Sequence, residues 1–294
     1  MASVLPMTPP YPPLRLADRV LSLDGYGDPF AAYEALGADT KAQLLALLPD
    51  DWSFAGRRVL DFGCGAGRTL RHFLAEAETA ELWGVDIDAE SVAWLQSALC
   101  PPLHAARCAP GPPLDFEAGT FDLAWAISVF THLTDTSLPW LLELHRILRP
   151  GGLLMASYMG RWNSEVIAGE PWDEDRIGMN VLRHMNGWEH GGPMVLMSDW
   201  WVREHWGRAF EIVAIAPEVH GQSWALLRRR DVTLTVADLE RPADDPREHG
   251  ALRHNVRQLQ RELEGVRGEY EQSLSWRLTR PVRAARARLA RRGG

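Results

Sequence analysis

Lysine is almost absent from this chain: Lys41 is the one lysine among 31 basic residues, and arginine takes its place everywhere else. A substitution that uniform points to genome composition more than to binding chemistry. Cysteine is also scarce. Cys64, Cys100 and Cys108 are too few for a disulfide framework and are not spaced as a metal pair, so a reducing cytoplasm is the expected setting. No window approaches the ~20 consecutive apolar residues of a membrane span. The stretch Met1 to Pro13 lacks the basic start and apolar core of a secretory leader. Asp173, Glu174, Asp175, His184 and His190 match no ligand spacing, which excludes a metal centre from the expectations.

Charge is unevenly spread. The whole chain carries −8, yet eleven arginines and four glutamates fall after residue 250, so the tail carries +7 and residues 1–250 carry −15. An acidic body is a poor partner for a polyphosphate backbone, so nucleic acid is not an expected ligand.

The most informative stretch runs from Arg57 to Ala77. A short buried strand, Arg57 to Phe62, leads into Gly63, Gly65 and Gly67 at alternate positions and then into a helix-like segment, Arg68 to Ala77. Glycines so placed let a ligand lie on the backbone where a strand turns into a helix. Asp61, two residues before the first glycine, would repel a pyrophosphate and suits a cationic or amino-bearing ligand. S-adenosylmethionine, with sulfonium and ammonium groups, fits that description. About twenty-five residues on, Glu81 to Asp88 reads as the next parallel strand, with Asp86 placed to accept ribose hydroxyls. A third strand-like run is Phe121 to Ser128, followed by Val129-Phe130-Thr131-His132-Leu133. A helix over Ser137–Leu148, the turn Arg149-Pro150-Gly151-Gly152 and a strand over Leu153–Tyr158 come after it.

The segments VLDFGCGAGRTLRHF, GVDID, FDLAWAISVFTHL and LHRILRPGGLLMAS, in this order, resemble the class I S-adenosylmethionine-dependent methyltransferases over about residues 55–160. The resemblance implies an α/β, Rossmann-like, doubly wound seven-stranded sheet with its last strand antiparallel. Glu211–Ala216 and Ser223–Arg228 are the candidates for the final strand pair. It implies S-adenosylmethionine as cofactor, contacted by Asp61, Gly63, Cys64, Gly65, Gly67, Asp86, Ile87 and Ser128. Many relatives read the adenine amine with an acidic residue after the third strand. Here Ala105 to Pro113 holds no carboxylate, so backbone groups near Cys108 and Ala109 are expected to do so.

The organisation read along the chain is an N-terminal arm and helical cover over 1–50 and a methyltransferase domain over 51–230. Within it, 160–192 is an irregular substrate-cover insertion. A linker over 231–246 follows, its first part either a strand or a connector, and then a coiled-coil segment and basic tail over 247–294. Ser198 to Arg208 reads as a capped helix. Methyl transfer to a hydroxyl benefits from a general base, and His132 and His220 are the candidates. Each has a plainer reading, as a cap or packing residue and as a turn residue. Asp135 is the N-cap of the following helix or the partner of His132. Of the seven tryptophans from Trp162 to Trp224, about two are expected on substrate and Trp201, with Phe210, in the core.

Leu252, Val256, Leu259, Leu263, Val266 and Tyr270 repeat at spacings of 4 and 3, the seam of a coiled coil and so a homo-oligomer contact, or else a helix packed on the body. Gly265 and Gly268 weaken it by ~1 kcal/mol each. The run from Ser273 to Arg283 resembles a segment found in or beside bacterial surface-polysaccharide assembly enzymes. With seven arginines from Arg277 onward and Trp276, Leu278, Val282 and Leu289 among them, it suits peripheral contact with the inner membrane face. Nucleic-acid binding and a plain solubilising end are the rival uses. The first functional reading is O-methylation of a glycan or glycolipid intermediate. The alternatives are a small-molecule O- or N-methyltransferase and a catalytically silent cofactor-binding scaffold.

Overall fold

Alternation of apolar strands with helices builds the body, and the computed structural model describes residues 10–18, 28–184, 186, 192–219, 221–276 and 278–279. The strands are β1 (Arg58–Phe62), β2 (Glu81–Asp86), β3 (His104–Arg107), β4 (Phe121–Ala126), β5 (Leu148–Tyr158), β6 (Met179–Leu182), β7 (Met194–Met197), β8 (Phe210–Val219) and β9 (Gln222–Arg229). The helices are α1 (Leu14–Asp18), α2 (Pro29–Leu47), α3 (Ala89–Ala98), α4 (Ser137–Ile147), α5 (Asp199–His205), α6 (Val236–Glu240) and α7 (Glu248–Gln272).

Seven strands form one sheet in the order β3-β2-β1-β4-β5-β9-β8. β9 runs antiparallel to both β5 and β8, while the β1, β2, β3, β4 and β5 pairings are parallel, as expected from the resemblance. Every residue of β4 is buried, which suits a strand covered by helices on both faces. Alternation sends Leu60 and Phe62 to the face that packs with α4, and Val59 to the face shared with Leu44, Phe73 and Trp125. Asp61 therefore points to the Trp125 side, and the β1–β4 register pairs these two residues directly. The chain order reverses between β1 and β4, which leaves a crevice at their carboxyl ends.

Several local expectations change. Gly67 stands at φ +76°, so no α-helix starts at Arg68. The segment instead forms two short 3-10 turns, Leu70–Phe73 and Glu76–Glu78, and Leu70 and Phe73, three apart, both bury. The stretch over 160–192 is not wholly irregular. It holds a π-helical turn, Asn163–Ala168, and β6, which pairs antiparallel with β7 in a separate hairpin. The stretch after Arg230 forms neither strand nor bare connector. Thr235 and Asp238 close a capping box on α6, and Leu239 buries fully. Asp135 does not cap α4: Thr136 holds that position, and the Asp135 carboxylate accepts from the Thr134 hydroxyl at 2.9 Å. Ser198 does cap α5, and Trp201 and Phe210 are core residues. No helix among the described residues is long and apolar enough to cross a membrane.

Candidate active site

The glycine loop is strapped to the end of β2. The amides of Gly63 and Cys64 both donate to the Val85 carbonyl, at 2.8 and 3.1 Å. This leaves the chain no room for side chains at its tightest point. A Cβ on Gly63, at φ +82°, would lie 2.4 Å from Val129 Cγ2. Gly65 differs: at φ +52° its missing Cβ faces open space, with no atom within 4 Å. Its amide donates to Asp86 Oδ2 at 2.8 Å, and the Asp88 amide donates to Asp86 Oδ1 at 2.8 Å. Two backbone donors thus fix the Asp86 carboxylate at the rim of the cradle, and each oxygen keeps acceptor capacity beyond one bond.

Asp61 is the electrostatic anomaly of the site. It is 4% exposed, and its Oδ2 has no hydrogen-bond partner among the described residues. Burial pushes its carboxyl up to about 7; the facing indole N–H of Trp125 opposes the rise, the Asp86 carboxylate adds to it, and the Arg68 guanidinium counters it. A buried carboxyl with one oxygen left without a hydrogen bond, beside an open glycine cradle, fits a ligand that brings its own cation. S-adenosylmethionine meets that test: its ammonium suits Asp61, its backbone approach suits Gly65, and its ribose diol suits Asp86.

The other expected contacts fall around this cradle with different prospects. Ile87, 41% exposed beside Asp86, offers an apolar face at the rim. Cys64 turns its side chain away, into the core against Gly84, and burial pushes its thiol well above the usual range, so only its backbone borders the cradle. Ser128 stands at φ +60°, its amide donating to Ser157 Oγ at 2.7 Å and its hydroxyl joined to the Gln222 amide. The Cys108 amide, expected to read adenine, is already engaged with the Asp86 carbonyl at 2.9 Å.

His132 lies on the loop after β4, its Nδ1 2.8 Å from the Pro193 carbonyl. A carbonyl only accepts, so Nδ1 carries the proton and the lone pair of the neutral ring sits on Nε2. Burial holds the ring below its ordinary pKa, with the Pro193 carbonyl opposing. The hairpin is stitched to the sheet at this place: Val195 donates to Thr131 and Met197 to Met159, both at 2.8 Å. His220, the second candidate base, lies outside the described residues, as do Trp188 and His190.

The sequence reading missed the support on the α2 side. The Tyr33 hydroxyl donates to the Ala66 carbonyl at 3.1 Å, and burial raises its pKa. Arg71, fully buried, donates to the Pro10 carbonyl at 3.1 Å and lies over the Tyr11 ring at 4.8 Å. Arg15 of α1 pairs with Glu90 at the start of α3. Residues 10–18 are thus pinned to both flanks of the glycine loop. The one available signal was a run of arginines, Arg68 and Arg71, immediately after the third glycine.

Residues 59–152, which span β1 to the start of β5, match the methyltransferase domain family. The chain carries a class I methyltransferase domain, and S-adenosylmethionine is its cofactor. The domain is similar to the 2-methyl-6-phytyl-1,4-hydroquinone methyltransferase of Synechocystis, with 29% identity over 49% of this chain and 40% of that protein. It is also similar to the malonyl-[acyl-carrier protein] O-methyltransferase of Erwinia billingiae, with 35% identity over 35% of this chain and 39% of that one. The chain therefore spans less than half the length of these two relatives. A Pyrococcus horikoshii protein, PH0226, shares the fold at a TM-score of 0.53 and 17% identity, covering 72% of this chain and 98% of its own. A Mesorhizobium loti S-adenosylmethionine-dependent methyltransferase does so at 0.51 and 18%, covering 66% and 99%.

Proposed function

We propose that this protein transfers a methyl group from S-adenosylmethionine to a hydroxyl of a small, largely apolar acceptor. The observation that carries the reading is the buried carboxylate of Asp61, whose Oδ2 has no hydrogen-bond partner among the described residues, beside the open cradle at Gly65. A silent scaffold would keep that destabilising group without return. When bound, S-adenosylmethionine supplies a methyl already activated by its sulfonium. The chain's residues then do the rest. Asp61 holds the ammonium end, Gly63, Gly65 and Gly67 give the backbone approach, and Asp86 takes the ribose hydroxyls beside Ile87. Ser128 shapes the floor between the strand ends. His132 receives the acceptor proton at Nε2, with the Pro193 carbonyl steadying Nδ1–H as positive charge develops.

The acceptor class follows from the hairpin. Met159, Ile177, Leu182, Met194 and Leu196 form an apolar cluster at the carboxyl end of β5. The register places Asn180 on the same face as Leu196, and both of its amide atoms are buried without a hydrogen-bond partner among the described residues. A buried apolar cluster with one unbonded amide beside the strand ends supports a small amphipathic hydroxyl compound as the acceptor. The similar proteins named above, by their own names, act on a hydroquinone and on a carrier-bound malonyl group. A glycan or glycolipid acceptor is the second reading, favoured by the resemblance of residues 273–283 to polysaccharide-assembly enzymes, with contact at the inner membrane face through the basic tail. Trp276 from that run packs edge-on to Tyr270 at 4.6 Å, and residues 280–294 lie outside the described residues. Incubation with methyl-labelled S-adenosylmethionine and two acceptor panels, phenolic or quinol compounds and lipid-linked sugars, separates the readings. Label in neither panel, with the cofactor bound, would leave the scaffold.

A further inference from the structure

The amino-acid end of S-adenosylmethionine is a zwitterion, and Asp61 answers only its ammonium. The carboxylate next to it would enter a buried, anionic corner, which costs free energy unless a cation stands there. Most cations around the glycine loop are engaged. Arg71 pairs with Glu34 at 3.3 Å and donates to the Pro10 carbonyl. Lys41 pairs with Glu76 at 2.6 Å and donates to the His72 carbonyl at 2.7 Å. Arg15 pairs with Glu90, and Arg107 Nε donates to the Ile87 carbonyl at 3.1 Å. Arg68 is the exception. Its guanidinium makes no hydrogen bond and no ion pair among the described residues.

Backbone packing sets its place. Gly67 closes a tight turn by donating to the Cys64 carbonyl at 2.9 Å, and Arg68 follows directly. Helix α2 lies against it: a Cβ on Gly37 would stand 2.3 Å from the Arg68 carbonyl, and Tyr33, one turn earlier, bonds the Ala66 carbonyl. Arg68 therefore sits between α2 and the carboxyl end of β1, on the sheet face where Asp61 stands beside Trp125. Its side chain is half-buried. Burial pulls its pKa down while Tyr33 and Asp61 pull it up, and Arg68 in turn counters the rise of the Asp61 carboxyl. The two charges feel each other, yet no ion pair joins them. An unbonded guanidinium and a carboxylate with one unbonded oxygen, on the same side of one cradle, fit a group that carries both charges. We infer that Arg68 takes the α-carboxylate of S-adenosylmethionine while Asp61 takes its ammonium, so that the pair grips the amino-acid end as a zwitterion. This grip rests on the seat proposed above, with the ammonium on Asp61. Both contacts survive methyl transfer, because S-adenosylhomocysteine keeps both charged groups and loses only the sulfonium charge.

Calorimetric titration of the full chain at pH 8 tests this with S-adenosylmethionine, S-adenosylhomocysteine and two truncated ligands. Decarboxylated S-adenosylmethionine keeps the sulfonium and the ammonium, whereas 5′-methylthioadenosine lacks both charged ends. The wild type should bind S-adenosylmethionine about tenfold to hundredfold more tightly than the decarboxylated amine. Arg68→Gln should lose about that factor for S-adenosylmethionine and S-adenosylhomocysteine. It should hold or gain affinity for the amine, since a cation is gone, and bind methylthioadenosine as the wild type does. Arg68→Lys should recover part of the loss, because the charge returns without the two-pronged donor geometry. Should the Gln variant melt too early to titrate, the Lys variant alone should show a reduced preference for S-adenosylmethionine over the amine. Unchanged S-adenosylmethionine affinity in Arg68→Gln overturns the assignment. A loss shared by methylthioadenosine overturns it too, since Arg68 would then shape the loop and not hold the ligand. Asp61→Asn separates the two claims: it should weaken S-adenosylmethionine and the amine but not methylthioadenosine. Unchanged affinity for the amine there would overturn the ammonium seat, whatever Arg68 does.

Discussion

Binding of S-adenosylmethionine should weaken steeply below neutral pH, and Asp61 should be the cause. The free protein holds this carboxyl at about 7, mainly through burial. An ammonium seated against Oδ2 returns it toward the ordinary carboxylate range near ~3.9. Binding then requires ionisation: affinity is flat above about pH 7.5 and falls about tenfold per unit below 7, or ~30-fold between pH 8 and 5.5. The same shift sets a stability cost with a definite sign. The folded pKa lies above the unfolded one, so Asp61 costs nothing below about pH 4 and progressively more as pH rises to 7. The cost reaches an upper bound of ~4 kcal/mol, about three units at 1.36 kcal/mol each. Asp61→Asn should therefore raise the melting temperature of the free protein at pH 8 while abolishing tight cofactor binding. It should also flatten the pH dependence of whatever binding is left. Calorimetry in buffers of different ionisation enthalpy checks the linkage, since binding near pH 6 should release close to one proton. Affinity that does not change between pH 5.5 and 8, or an Asp61→Asn variant that binds as the wild type does, would refute the reasoning.

Four further outcomes follow from the same geometry. Asp86→Ala removes charge-assisted bonds worth ~1.5–3 kcal/mol, and calorimetry should show a tenfold to hundredfold loss of cofactor affinity. Gly65→Ala and Gly63→Ala should differ in degree: the first has space for its methyl and meets only the backbone strain of φ +52°, roughly 1 kcal/mol, so it should melt slightly below the wild type and bind cofactor poorly, whereas the second adds a 2.4 Å contact with Val129 and should unfold earlier. His132→Ala should leave cofactor affinity intact and lower turnover about 10²-fold or more with a hydroxyl acceptor. Because burial holds His132 below its ordinary pKa, wild-type turnover at saturating cofactor should stay level through neutral pH and fall only on acidification. Truncation after Glu262 should keep the melting temperature. Truncation at residue 246 should lower it, because it removes Glu248 from the buried His205 Nε2, 3.2 Å away, and uncovers Trp201.

What could be read from the chain alone, and what could not, divides along a physical line. The parallel sheet was legible because β1 and β4 are apolar runs long enough for nothing but strands, and because Asp61, the glycines and Asp86 sit at spacings that one strand–turn–helix passage imposes. The hairpin of β6 and β7 was hidden because each strand is four residues long, in a stretch rich in tryptophan, glycine and charge. It is held by tertiary bonds, Val195 to Thr131 and Met197 to Met159, that no local pattern announces. The helix expected over 68–77 failed for the opposite reason. Its composition favours a helix, but Gly67 stands in a left-handed conformation with Leu95 packed where a Cβ would lie, and the turns that follow bury Leu70 and Phe73. Helix α7 combines both cases. The 4–3 spacing made its seam legible, but the polar residues that dock it, Asn255 and Glu262, bind backbone amides of a hairpin the sequence had not revealed. Of the two alternatives that spacing left open, a seam or a helix packed on the body, the first half of the helix takes the second, held by hydrogen bonds to the hairpin, while Leu263, Val266 and Tyr270 of its second half stand exposed.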